Sequence, residues 1–139
     1  MNVLIDTNIM LDFLTERAPF FENADRIMQM CQKRQISGFI AAHSVMNVFF
    51  ILRKEYSVKE RRDMLMDFMK LVSVVGIDSN NIQKALKRED FSDVEDCLQD
   101  ECALICKADY IITRNVDDYK HSLVPAIEPD VFFYRISDR

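Results

Sequence analysis

Oxygen-bearing side chains stand at the edges of apolar runs at four places in this chain. They are Asp6-Thr7-Asn8 after Val3 to Ile5, Asn47 within an apolar stripe, Asp93 to Glu101, and Thr113 to Asp118 after Tyr110 to Ile112. The third is the densest, with Asp93, Glu95, Asp96, Asp100 and Glu101 packed into nine residues. Carboxylates brought together repel one another, and their pKa values rise unless a cation binds among them. Hard oxygen donors select Mg²⁺ or Mn²⁺ over softer metals. One or two such ions lower the pKa of a water and stabilise a phosphoryl transition state, so the chemistry open to a converging set is metal-dependent phosphodiester hydrolysis.

Each acid also has an ordinary structural reading. Asp6 can be only the cap of a helix beginning near Ile9. Asp93 can be an N-cap with Asp96 completing a capping-box-like pair, both favoured by the helix dipole. On a helical wheel, Asp93, Asp96 and Asp100 fall within an arc of roughly 60°. Val94, Cys97, Leu98, Cys102 and Ile105 share another face, so the acids form a ridge. Asp93 reads as a cap first and a ligand second, and Asp100 and Glu95 as solvated. Glu101 falls in the middle of the apolar stripe, where a charge needs a partner because burying it alone is costly.

The elements that must position these residues alternate between strand and helix. Val3 to Ile5 is a buried strand feeding a helix that carries Ile9, Phe13 and Leu14 and ends at Pro19. Phe20, Ala24, Ile27, Met28 and Cys31 give a second amphipathic helix, and "ISGFIAA" reads as a strand. Ser44 begins a helix through "SVMNVFFILRK", and Ser57 with Glu60 makes a capping box for the next. "VSVVGI" is a strand, Ser79 to Arg88 a helix, Tyr110 to Thr113 a strand, and Pro129 starts a last short helix. That alternation predicts an α/β chain, with a mostly parallel sheet covered by helices on both faces. Ligands of such sheets bind beyond the carboxyl ends of the strands, where Asp6 and Thr113-Arg114-Asn115 both lie.

At 139 residues the chain is expected to be a single domain, residues 1–139. Its longest wholly apolar run, Val48 to Leu52, is far short of the roughly 20 residues that span a bilayer. No basic leader precedes Asp6, so a cytoplasmic protein with no membrane role is expected. The four cysteines show neither CxxC nor His-paired spacing, which argues against zinc and disulfide frameworks. A net charge of -5 excludes coating nucleic acid by bulk electrostatics. It leaves room for a local basic rim at Arg53-Lys54, Lys59/Arg61/Arg62 or Lys84/Lys87/Arg88, each of which reads first as a solvated helix face. No Gly-rich phosphate loop appears, which disfavours a flavodoxin-like receiver with Asp6 near a phosphoacceptor. His43 and His121, the only histidines, read as surface or helix-end residues.

Taken in order, "VLIDTNIMLDFL", "DVEDCLQDECAL" and "ADYIITRNVDDY" resemble the three signature blocks of the PIN-domain family, and "SVMNVFFILRK" fits the block between the first two. The resemblance runs from Asn2 to about Phe133. It implies a three-layer α/β/α sandwich and a Mg²⁺- or Mn²⁺-dependent ribonuclease. Such proteins are commonly the toxin of a toxin–antitoxin pair of the virulence-associated protein C type, acting on RNA, forming a homodimer and held by a small antitoxin. By position, Asp6 and Asp96 match metal-binding acids and Asp118 the last acidic position, which gives these three the metal and catalytic roles. Thr7, Asn8 and Thr113 match residues that shape the site by hydrogen bonding, with Asp93 in support. Asn115 fills a position held by Asp in many members, and Asn47 the position where most active members carry Glu. An amide oxygen can ligate a hard cation but brings no charge. The expectation therefore has an alternative, a catalytically weakened or inactive module that binds RNA or a protein partner. Arg114, Arg53 and Lys54 are the candidate RNA contacts.

Overall fold

Val3, Leu4 and Ile5 have no solvent exposure, and a run this apolar on both faces belongs in the middle of a sheet. In the computed structural model, which describes residues 1–138, they form β1 (Asn2–Ile5) at the centre of a five-stranded sheet. The other strands are β2 (Ser37–Ala41), β3 (Ser73–Val75), β4 (Tyr110–Ile112) and β5 (Ala126–Ile127). Their order is β3-β2-β1-β4-β5, and every pairing is parallel. The helices are α1 (Thr7–Leu14), α2 (Phe21–Gln32), α3 (Ala42–Ile51), α4 (Val58–Phe68), α5 (Ser79–Lys87), α6 (Val94–Ile105) and α7 (Pro129–Ser137). Short 3-10 turns follow α3 at Leu52–Lys54 and β4 at Val116–Tyr119.

Side chains alternate across a strand, and β1 shows the consequence. Val3 and Ile5 join one core with Ile9, Met10, Ile27, Val48, Phe68 and Phe132, from α1, α2, α3, α4 and α7. Leu4 joins the other with Ala41, Cys102, Ala103 and Ile111, beneath α6. The sheet thus lies between two helical layers, as the alternation predicts. Among the described residues no helix is long and apolar enough to cross a membrane.

Several boundaries move for local reasons. The first helix ends at Leu14, well short of Pro19, where the Thr15 hydroxyl bonds back to the Leu11 carbonyl at 2.7 Å. α3 starts at Ala42 rather than Ser44, because β2 passes straight into it and extended Ala41 is its cap. The Ser57–Glu60 capping box forms as expected. β5 is too short to show alternation; it is held by Ile111 N–H to Pro125 O at 2.9 Å and Thr113 N–H to Ile127 O at 3.0 Å.

The acidic ridge is divided. Asp100, expected in solvent, is fully buried and accepts from Leu123 N–H at 2.9 Å and Val124 N–H at 3.0 Å. Arg88 reaches it at 2.8 Å and Glu101 at 3.1 Å, so the charge found in the apolar stripe does have its cation. Arg88 is correspondingly not a solvated member of its basic cluster: its side chain is 17% exposed and also donates to His121 O at 3.4 Å.

Candidate active site

The chain leaves β1 toward β2 and β3, then returns to β4 on the other side of β1. The reversal opens a crevice past the carboxyl ends of β1 and β4, where ligands of open parallel sheets bind. Asp6 is the first residue beyond β1. Its N–H is anchored to Ile112 O at 3.0 Å, and its side chain is 7% exposed. The carboxylate is surrounded by donors: Thr7 N–H at 2.7 Å, the Thr113 hydroxyl at 2.7 Å, and the amides of Asn8 and Gln99, each at 3.3 Å. Burial raises the Asp6 pKa, and the hydrogen bonds from Thr113, Thr7 and Tyr119 partly offset it.

Thr113 is the hub behind Asp6. Its hydroxyl donates to Asp6 and accepts from Asn115 N–H at 3.0 Å and the Asn8 amide at 3.2 Å. The Asn8 carbonyl oxygen in turn accepts from Arg114 N–H at 3.3 Å. The end of β4 is thereby fixed to the start of α1.

Asp96 approaches from the first turn of α6. Its pKa is pushed up to about 7, by burial first and then by the like charges of Asp93, Asp6 and Asp118. The buried Tyr119 hydroxyl sits 3.4 Å from Asp96 Oδ1 and within hydrogen-bonding range of Asp6. Burial, and after it the charges of Asp6 and Asp96, drives the Tyr119 pKa far upward.

An open cavity of about 430 Å³ brings Asp6, Thr7, Asn8, Asn47, Asp96, Asn115 and Asp118 to one surface, with Glu95, Gln99, Leu11, Phe50 and Ile51 completing the wall. Thr113 lies behind it, fully buried. Asp93 is placed as the cap of α6, accepting from Glu95 N–H at 2.8 Å. Arg114 points away, its guanidinium on buried Asp12 at 2.7 and 3.2 Å and its Cζ 3.8 Å over the Phe20 ring. Arg53 stacks 3.7 Å over Phe50 at the cavity rim, and Lys54 follows it in the 3-10 turn. Asn47 donates to Glu95 Oε2 at 3.2 Å; Glu95 is exposed, as its sequence position suggests, and also stands on the cavity wall.

Gln99, Ser44 and Tyr119 also belong to the site without being visible in sequence. Gln99 looks like one more polar residue on an acidic helix, and Tyr119 like ordinary core. His43 lies in the first turn of α3, at a helix end as its sequence position suggests, but with both ring nitrogens buried, and burial holds its pKa down. Only the meeting of α3, α6 and the turn after β4 gives these residues a common target.

Among the described residues no group of three or more His, Cys, Asp or Glu side chains is gathered closely enough to hold a metal ion by itself. The cavity nevertheless has an all-oxygen donor set of carboxylates and amides, with neither His nor Cys on its wall. It also has a buried acceptor, Gln99 Oε1, without a partner. That chemistry fits a hard divalent cation completed by neutral oxygens, and does not fit zinc.

The family model described as PIN domain matches residues 2–117. No curated protein matches the chain. Among solved structures, a toxin–antitoxin complex from Klebsiella pneumoniae is similar at 18% identity and TM-score 0.68, over 91% of this chain and 97% of that one. VapBC2 from Rickettsia felis, bound to a DNA fragment from its promoter, is similar at 12% identity and TM-score 0.67, over 92% and 98%. VapC20 of Mycobacterium tuberculosis, a toxin that cleaves the sarcin-ricin loop, is similar at 10% identity and TM-score 0.62, over 78% and 86%. Identities this low speak to the fold.

Proposed function

This chain belongs to the PIN-domain family, and on that premise we propose that it is a Mg²⁺- or Mn²⁺-dependent endoribonuclease, the toxin of a toxin–antitoxin pair. The observation that carries the reading is Asp96, whose carboxyl is held up to about 7 by burial and by the charges of Asp93, Asp6 and Asp118. Negative charge has been assembled in a crevice with no side-chain cation on its wall.

Asp6, Asp96 and Asp118 would hold the cation, with Asn47 and Asn115 as neutral oxygens. When bound, the ion supplies a water of lowered pKa and positive charge for the phosphoryl oxygens. The chain's own groups do the rest. Thr113, Thr7 and Asn8 hold Asp6 in one orientation, and the Tyr119 hydroxyl donates to Asp96. RNA would enter over the rim carrying Phe50, Arg53 and Lys54, Arg114 being occupied by Asp12. The neighbours whose names describe toxin–antitoxin complexes support a small antitoxin as partner. A homodimeric, single-domain, cytoplasmic protein completes the proposal. Asp6→Asn and Asp96→Asn should each abolish Mn²⁺-dependent cleavage of single-stranded RNA; equal cleavage by wild type and both variants would sink the reading.

A second reading is a binding module that does not cut. It is favoured by Asn47, whose amide is turned to Glu95 where a carboxylate would strengthen the metal site. The two readings separate on metal affinity. Absence of a thermal shift with millimolar Mn²⁺, together with no cleavage gained by Asn47→Glu, selects the binding module.

A further inference from the structure

Among the described residues, buried side-chain atoms without any hydrogen-bond partner occur on two residues, Gln99 (Oε1) and His43 (both ring nitrogens). Such orphans are rare in folded proteins and call for a partner that protein atoms do not supply. Gln99 is 2% exposed and lies on the wall of the acid cavity. Its Nε2 has three acceptors in reach, Ser44 Oγ at 2.7 Å and Asp6 Oδ1 and Thr7 Oγ1 at 3.3 Å each. An amide nitrogen carries two hydrogens, so its donor capacity is fully used. Turning the amide over would set Oε1 against the Asp6 carboxylate, acceptor to acceptor, so the orientation is chemically determined. Every donor of this amide is therefore engaged while its acceptor is idle, beside the buried acid that begins the site.

We infer that Gln99 is a positioning residue of the acid cavity, its NH₂ fixing Asp6, Thr7 and Ser44 and its idle Oε1 serving as a neutral oxygen for the divalent cation. The assignment rests on the metal-dependent reading above and extends it to a residue whose sequence context suggests only a helix surface. It also accounts for a site with so few firm acids: a neutral oxygen adds a donor without adding to the repulsion already concentrated at Asp96. Gln99 and Asp96 are three apart on α6, so both side chains lie on one face of the helix and line the same cavity.

Mn²⁺ binding by calorimetry at pH 8 tests this on wild type, Gln99→Met and Gln99→Glu, with thermal melts in chelator run alongside. Gln99→Met keeps the length and packing but removes both the oxygen and the NH₂ that fixes Asp6, and should weaken Mn²⁺ binding about tenfold. Gln99→Glu keeps an oxygen and adds charge, which should tighten binding about tenfold while lowering the melting temperature in chelator. Opposite shifts in the two variants support the assignment. Unchanged Mn²⁺ affinity in both, with only the melting temperatures moved, overturns it and leaves the amide as packing. Wild type that binds no Mn²⁺ overturns the metal-dependent reading itself, and this assignment with it.

Discussion

Asp96 carries the most direct consequence at the scale of single residues. Its pKa rises on folding from the ordinary 3.8 to about 7, so between those values the folded chain holds a proton that the unfolded chain has released. Stability therefore falls as pH rises through that window. In chelator, the melting temperature of the wild type should drop between pH 4 and 8 and that of Asp96→Asn should drop less, the remainder coming from Asp6. At pH 8 the variant should melt about 3–5 °C higher, on the order of 1 kcal/mol once solvent screening of a half-buried group is allowed for. A lower melting temperature for Asp96→Asn would show that Asp96 is compensated in the metal-free protein. Asp6, Asp96 and Asp118 are visible in sequence because all three match acidic positions in the blocks that resemble the PIN-domain family, Asp6 also interrupting the edge of an apolar run. Gln99 and Tyr119 are not, because their parts depend on which strand ends and helix starts meet, which no local pattern encodes.

The elements were legible wherever periodicity or capping chemistry was local: the buried run of β1, the Ser57–Glu60 box of α4, and Pro129 at the head of α7. Misreadings came where a long-range partner decides. Asp100 has the helical spacing of a solvated acid, yet it holds the Leu123 and Val124 backbone and takes Arg88 as its cation. Arg88 follows α5 while Asp100 and Glu101 lie on α6, so this cluster joins the two helices to the segment before β5. Replacing Arg88 with Met leaves two buried carboxylates uncompensated and should cost about 3–5 kcal/mol in urea unfolding. Adding Asp100→Asn and Glu101→Gln to that variant should recover part of the loss, because the three residues form one network. A loss below about 1 kcal/mol for the single variant would mean that water already serves these groups.

For the molecule as a whole, a net charge of -5 and a rim with few cations limit how it can meet RNA. Binding should rest on a handful of phosphate contacts and on the divalent ion. Wild type with Mn²⁺ should show a log-affinity against log-salt slope shallower than about -3 on a non-cleavable analogue of single-stranded RNA. A steep slope that persists in chelator would reveal a basic surface the fold does not display. The sheet order has one more consequence. Asp6 is made more than a hundred residues before Thr113, which orients it, and Tyr119, which stands beside it. Because β1 is the central strand, its β4 neighbour cannot be laid down until that late segment has emerged. A nascent chain therefore carries Asp6 apart from its partners until the Thr113–Tyr119 segment has emerged, and on the reading proposed above RNA meets no working nuclease before then.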